Sequence, residues 1–505
     1  MGSSQSSAPP SNASVEAGKP ETSKTTRTAH ELSLTAESVE AAIKQDTLAE
    51  WNTAFESDDK KRLAQTVLCR QDILTALVNR DATIRDAHVF NTTITKESAK
   101  VTNQMSSGRC WLFAACNVAR RQVATKYDIE EFELSQSYLF FWDSLEKANS
   151  FLENMISLAN EPLDSRLNQY LLETPTNDGG QWAMFQNLVK KYGLVPQSVY
   201  PESFNSSNTS KVKTIIQSKL REYALDLREL KDETATVLRE DHGFDEKAAD
   251  AKAIDACRQR KTELLQEIYN ILVTALGTPP KVEEPFTWHF YYSKDKKYQS
   301  VTMTPLEFSV KATGNFKPEA TIALINDPRN EYDQLYTVDR LMNVYEGAKV
   351  KYLNVTAKEL SQAIVTCLKA DRPVWFGCDV GKYSNSQLGI MDTALFDFKN
   401  ALGTKPNLSK AQRLRTGESA MTHAMLISAC QLDENGEAVS FRVENSWSET
   451  VGSKGFFVMS ADWCNEFVYQ VILPTDLAGK KWLDIWNSGV APHVLPAYDP
   501  MGALA

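Results

Sequence analysis

The spacing of apolar positions changes character twice along the chain. Between Glu37 and Asn79, the residues Trp51, Phe55, Leu63, Val67 and Leu74 recur at helical intervals among mixed charges, which predicts helix. A stronger helical pattern opens at Cys110 and runs on through WLFAACNVARRQVATKY, with Leu112, Ala115, Ala119 and Val123 on one face. The stretch 133–147 predicts an aromatic-rich helix, and Gly179-Gly180 precedes an amphipathic helix over 182–192 that Gly193 closes at a C-cap position. From about 205 to 277 the chain becomes dense in Lys, Glu, Arg and Leu, predicting long surface or interface helices that Pro279-Pro280 stop. Residues 291–301 predict a hairpin around Lys294-Asp295-Lys296. Beyond Val374 the pattern turns strand-like in PVWFGCDV, HAMLISACQL, SFRVENSW and GFFVMS. Helices, a helical insertion and then an antiparallel sheet define an α+β class.

The organisation expected is a disordered Ser/Thr/Pro-rich tail over 1–36, a helical half over 37–204 and a mainly helical insertion over 205–345. A β half over 346–475 and a C-terminal segment over 476–505 complete it. The 505 residues are 42% apolar and include 21 Phe, 17 Tyr and 10 Trp, enough for a large packed core, which excludes wholesale disorder. No apolar run approaches the ~18 residues of a membrane span. The net charge of −10 disfavours nucleic-acid binding driven by overall charge. Eight cysteines form no CxxC and no zinc-spaced cluster, and the N-terminus has no apolar signal region. A reducing, cytoplasmic setting with neither metal nor cofactor is expected, with a mitochondrial pool as the alternative. The opening Met1-Gly2-Ser3-Ser4-Gln5-Ser6 fits the short myristoylation pattern at Gly2, a pattern that Ser-rich tails also produce.

Most of the cysteines lie within apolar or helical patterns and read as buried, inert thiols. Cys110 differs, because a loop, Ser106-Ser107-Gly108-Arg109, ends where its helix begins. A thiol at a helix N-terminus feels the macrodipole, which favours thiolate. Gln104, six residues upstream, carries an amide suited to an oxyanion. A thiolate nucleophile needs a proton partner, and His423 opens an apolar strand where its ring can border a cleft. Alone, a histidine there reads as structural. Asn445 changes that reading, since strand alternation places it with Phe441 and Val443, and a carboxamide fixes the tautomer of an imidazole. Trp447 can shield that contact from water.

These residues resemble the active-site blocks of papain-like cysteine peptidases. Gln104-x5-Cys110-Trp111, His423-Ala424 and Asn445-Ser446-Trp447 stand in that family's chain order, joined by Leu134-Ser135-x-Ser137, Asp178-Gly179-Gly180 and the glycine spacing through Gly452 to Gly455-Phe456. Ser107 and Asp178 occupy the places of a disulfide in secreted members, so that bridge cannot form here. Cys110 and His423 are more than twice as far apart as the ~130–150 residues of papain and the cathepsins, the excess holding the charged insertion. GRCWLFAA, LFFWDSLEKAN, MTHAML and the tail from Tyr498 to Ala505 are similar to the cytosolic bleomycin hydrolase branch.

The resemblance implies a papain-like fold with a large helical insertion and an extended C-terminal tail. It implies a thiol aminopeptidase acting on short peptides and on amide mimics such as bleomycin. Its roles are Cys110 as nucleophile, His423 as base and acid, Asn445 as orienter, Gln104 at the oxyanion, and Gly179, Gly180 and Trp447 lining the substrate site. Ala505 would meet the substrate's free amine, and the assembly would be a homohexamer. Some members bind nucleic acid through a basic channel, but Lys60-Lys61-Arg62, Lys294/Lys296/Lys297 and Lys480-Lys481 are short runs that read as solvated surface. An open-cleft endopeptidase, a transglutaminase-like acyl transferase (disfavoured by Asn445 in third place) and a nucleic-acid-binding or regulatory assembly are the alternatives.

Overall fold

The pattern that opens at Cys110 forms the helix Cys110–Lys126, in which every residue from Cys110 to Asn117 is buried. A helix apolar on all sides belongs inside a core. In this computed structural model, which describes residues 41–95, 100–292, 296–314 and 316–504, that helix packs on the strand His423–Leu432. The aromatic helix is longer than its sequence pattern, Gln136–Ser157, and starts where the Ser135 hydroxyl accepts the Tyr138 N–H at 3.0 Å. Trp182–Tyr192 closes at Gly193, whose φ of 75° is a conformation that favours glycine.

The charged region forms two 31-residue helices, Ser210–Glu240 and Glu246–Leu276, each about 46 Å long. Their buried residues fall at helical intervals: Val212, Ile216, Leu220, Tyr223 and Leu227 in the first, and Cys257, Leu264, Ile268 and Leu272 in the second. One stripe of each helix thus packs against its partner and against Gln136–Ser157, while most of the charges face water and the buried Lys231 pairs with Asp250 at 3.0 Å. The following hairpin pairs Phe286–Tyr291 with Tyr298–Met303, and its turn, 293–295, lies outside the described residues.

The β half is a mixed sheet, where an antiparallel one was expected. Val374–Cys378, His423–Leu432, Ala438–Glu444 and Phe456–Ser460 run antiparallel through its middle. Parallel pairs appear further out: Phe456–Ser460 with Ile390–Met391, Thr321–Ile325 with Tyr352–Asn354, and His493–Leu495 with Leu335–Val338. The last pair shows that the segment after 475 joins the sheet before the tail departs.

The chain divides into two compact units, meeting between Val67 and Leu68. The described part of the first holds Gln45–Glu56 and most of Asp59–Leu68, and no residue of either helix is buried. The 1–36 tail and Gly2 lie outside the described residues. No described helix is long and apolar enough to cross a membrane.

At the start of the strand Val468–Pro474, the buried Lys410 donates to the carbonyls of Asn465 at 2.9 Å and Val468 at 2.6 Å, with its ammonium 4.8 Å from the centre of the Tyr469 ring. Burial pulls its pKa from 10.5 down to about 7. An unfolded lysine keeps its proton to about 10.5, so between about 7 and 10.5 the unfolded chain binds more protons and stability rises with pH. Lys410→Met should flatten that rise by up to ~1.4 kcal/mol per pH unit, as read from urea midpoints across pH 7–10. Parallel profiles for the two proteins would show that Lys410 does not titrate in this window.

Candidate active site

Cys110 is the first residue of its helix, and His423 the first of its strand, paired with Cys378 on the neighbouring strand. The Ala424 amide lies against the Cys110 sulfur, which brings the thiol beside His423. His423 Nε2 is 2.8 Å from Asn445 Oδ1, which also accepts the Ser446 N–H at 2.8 Å. That second contact identifies the oxygen end of the carboxamide. An amide oxygen only accepts, so the neutral imidazole carries its proton on Nε2 and keeps Nδ1 as the base. The Trp447 ring lies 4.8 Å from the His423 ring and covers this pair, backed edge-on by Phe457.

Burial opposes an isolated charge on either reacting group. It pushes the Cys110 thiol up to about 11 and the His423 imidazole down to about 4. The amides of Ala424, Trp111 and Cys110 do favour thiolate, but the loss of water outweighs them. Thiol and imidazole can charge only together, by passing one proton within the site.

Gln104 is tied on three sides. Its N–H donates to Ser446 O at 2.8 Å, its Oε1 accepts the Ser446 hydroxyl at 2.6 Å, and its Nε2 donates to Ser107 O at 2.6 Å. One Nε2 hydrogen is used and the second is left for an oxyanion beside the Cys110 N–H. Arg109, fully buried at the helix N-cap, holds the same loop. Its Nε donates to the Ser107 hydroxyl at 2.9 Å and its Nη1 meets Glu202 at 2.9 Å.

In Asp178-Gly179-Gly180 every carbonyl up to Gly179 is held from within the protein. Trp111 Nε1 donates to Asp178 O at 2.6 Å, and the buried Lys147 donates to Asn177 O at 3.0 Å and Gly179 O at 2.5 Å. A Cβ on Gly180 would stand 2.5 Å from the Trp111 indole. The Trp111 ring beneath it therefore demands glycine at this position, independently of any substrate. Where the disulfide of secreted members would stand, Asp178 Oδ2 accepts the Gly108 N–H at 3.2 Å and also bonds the Thr209 hydroxyl.

Sequence reasoning missed two groups of residues. Glu444, next to Asn445, is buried and accepts from Arg120 at 2.8 Å and Asn117 at 3.0 Å, both on the nucleophile helix. The tail is also gripped by partners with no local signal. Gln181, following Gly180, donates to Ala503 O at 2.7 Å, and the Tyr352 hydroxyl reaches Met501 O at 3.3 Å. Ala505 itself lies outside the described residues. Among the described residues no cluster of His, Cys, Asp or Glu could hold a metal ion.

Residues 42–502 match the Peptidase C1-like family. Cysteine proteinase 1, mitochondrial, from Saccharomyces cerevisiae is 42% identical over 460 residues, covering 90% of this chain and 91% of its own. Bleomycin hydrolase from Homo sapiens is 41% identical over 460 residues, covering 89% and 96%. The crystal structure of PepW from Lactobacillus rhamnosis superposes with a TM-score of 0.84 at 37% identity, covering 92% of this chain and all of that one. With a buried cysteine, histidine and asparagine gathered at one cleft, the chain belongs to the Peptidase C1-like family and is a papain-fold cysteine peptidase.

Proposed function

We propose that the chain is a thiol aminopeptidase of bleomycin hydrolase type, which removes N-terminal residues from short peptides and hydrolyses amide mimics such as bleomycin. The observation that carries this reading is the Gln181–Ala503 hydrogen bond, which lays the last residues of the chain beside Gly180. A tail held beside Gly180 as far as Ala503 closes that end of the substrate site, and in this reading the Ala505 carboxylate would complement a substrate ammonium. The open-cleft endopeptidase alternative lacks that plug.

The chemistry follows from the pair that charges together. Cys110 passes its proton to His423 Nδ1 as its sulfur attacks the peptide carbonyl carbon. The oxyanion forms against the Cys110 N–H and Gln104 Nε2. His423, held by Asn445, gives the proton to the leaving amine, and water then releases the acyl group by the reverse relay. Gly180 offers backbone to the substrate, and Trp447 keeps water off the His423–Asn445 bond. The enzyme acts as a homohexamer in this reading, in the cytoplasm, with a mitochondrial pool in keeping with the name of the yeast relative. The net charge of −10 disfavours nucleic acid as a partner.

Three measurements test these roles. Iodoacetamide at about pH 6 should label Cys110 before Cys69, the exposed thiol, and abolish activity, because Cys110 can pass its proton to His423 as its sulfur attacks whereas an ordinary thiol stays protonated. Labelling led by Cys69 with activity kept would remove Cys110 from the mechanism. His423→Ala should nearly abolish turnover, whereas Asn445→Ala should lower it about ten- to a hundredfold with the fold intact; a silent Asn445→Ala would end its orienting role. Deleting Met501 to Ala505 should cost about ten- to a hundredfold in kcat/KM on free-amine substrates, as expected for ~1.5–3 kcal/mol of charge-assisted hydrogen bonding, and should admit N-acetyl peptides. Full activity on free amines with continued rejection of N-acetyl peptides would show that exopeptidase specificity does not come from the tail.

A further inference from the structure

A tail that measures substrates must end at a fixed distance from the nucleophile, and the structure roots it in one charged group outside the cleft. Asp327 follows the strand Thr321–Ile325 and is almost fully buried. Its N–H donates to Asn354 Oδ1 at 2.9 Å, while Asn354 Nδ2 donates back to Asp327 O at 3.0 Å, which locks the turn onto the end of the neighbouring strand. The Asp327 carboxylate takes the Arg329 guanidinium in a fork, Nε to Oδ1 at 2.9 Å and Nη2 to Oδ2 at 2.8 Å. A guanidinium held this way has one orientation. Its Nη2 also meets Asp499 Oδ1 at 2.7 Å, both side chains being about nine-tenths buried. Burial works against the charge of Arg329, but the two carboxylates outweigh it and leave the group more firmly protonated than usual.

Asp499 passes this constraint into the tail. The same Oδ1 accepts the Met501 N–H at 2.9 Å, and its carbonyl accepts the Gly502 N–H at 2.8 Å. Pro500 fixes φ at the first position of that turn, and a Cβ on Gly502 would come within 2.9 Å of Val338. The next carbonyl, Ala503 O, is the one that Gln181 takes. From Arg329 to the Gly179-Gly180 segment the tail therefore has little slack.

We propose that Arg329, oriented by Asp327, is the positioning residue that sets where the C-terminal tail ends in the cleft, and hence how many substrate residues fit between the terminal carboxylate and Cys110. This rests on the aminopeptidase reading and names the device that enforces it. Arg329 touches neither substrate nor nucleophile and acts through Asp499. Without it the tail stays attached but its end loses register, so the enzyme keeps its chemistry and loses its discrimination.

The test uses the full-length enzyme with Arg329→Met, Arg329→Lys and Asp499→Asn, and the same set with Met501 to Ala505 deleted. Each preparation is normalised by iodoacetamide titration of the active thiol. For the full-length Arg329→Met variant the expected result is a KM for free-amine substrates raised about tenfold, with kcat changed less than threefold. N-acetyl peptides should become measurable substrates, and products should include dipeptides as well as single residues. Asp499→Asn, which keeps the shape and the Met501 contact, should shift the free-amine to N-acetyl ratio in the same direction by a smaller factor, and Arg329→Lys should restore part of it. In the truncated enzyme all three substitutions should be silent. If truncation changes specificity while Arg329→Met and Asp499→Asn leave the ratio unmoved, the anchor is overturned and the aminopeptidase reading stands. If truncation itself leaves specificity unchanged, that reading fails and the anchor with it. An equal loss on every substrate, in full-length and truncated enzyme alike, would mark Arg329 as structural and overturn the proposal.

Discussion

The site depends on a single buried carboxylate. Glu444 joins the helix that carries Cys110 to the strand Ala438–Glu444, whose end Asn445 follows, through Arg120 and Asn117. Those two elements come from opposite halves of the fold, and the nucleophile and its proton relay face each other only while the halves keep their distance. Apolar packing between them supplies most of the cohesion, but it is not directional and permits small slips. A charge-assisted bond of 2.8 Å between two buried side chains does not. Losing either partner would strand a buried charge at a cost of about 3–5 kcal/mol, so the joint acts as a register mark between the halves.

A second tie works on the other side of Cys110. Asp178 reaches Gly108, in the loop just before Cys110, and thereby fastens the Gly179-Gly180 segment to the loop that holds Gln104. A disulfide would make that connection in an oxidising setting. A carboxylate makes it with hydrogen bonds that a reducing setting cannot break. Lys147 and Trp111 complete the fixation from below, each holding a carbonyl of the same segment. The cleft floor is thus rigid through polar contacts to backbone, which leaves few free carbonyls except those beyond Gly179 to meet a substrate.

What could be read from the sequence divides along a physical line. Gln104, Cys110, His423 and Asn445 were legible because each is announced by its neighbours: a loop running into a helix, a strand opening with histidine, an alternation that sorts faces. The two long helices were legible from their charge density and periodicity. The supports were not. Asn117 and Glu444 are 327 positions apart, and Arg329 and Asp499 are 170 apart, and nothing near either member marks it as half of a pair. The acid–base balance also escaped, because a helix N-terminus is visible in a sequence whereas the depth of its burial is a property of the whole core. The mixed sheet was missed for a related reason: its parallel pairs join segments such as Thr321–Ile325 and Tyr352–Asn354, whose pairing is set by tertiary path and not by local pattern.

Burial of the reacting pair and polar fixation of its surroundings are two sides of one requirement. In a dry site neither thiolate nor imidazolium is stable alone, so the reactive form exists only when one proton has moved a short distance between fixed partners. Such a transfer tolerates little displacement, because the Coulomb energy that compensates for lost hydration falls off with separation. This fits the way the charged side chains around the site (Arg109, Lys147, Asp178, Glu444) are engaged by backbone and by other side chains of the protein. Specificity set by the tail, as proposed, would tolerate adjustment, since the tail can move without moving Cys110 or His423. The fold accordingly carries Cys110 on a helix and His423 on a strand, ties that helix through Glu444 to the strand next to the histidine's, and under the proposed function leaves the selection of substrates to a terminal segment held from the sheet by Arg329.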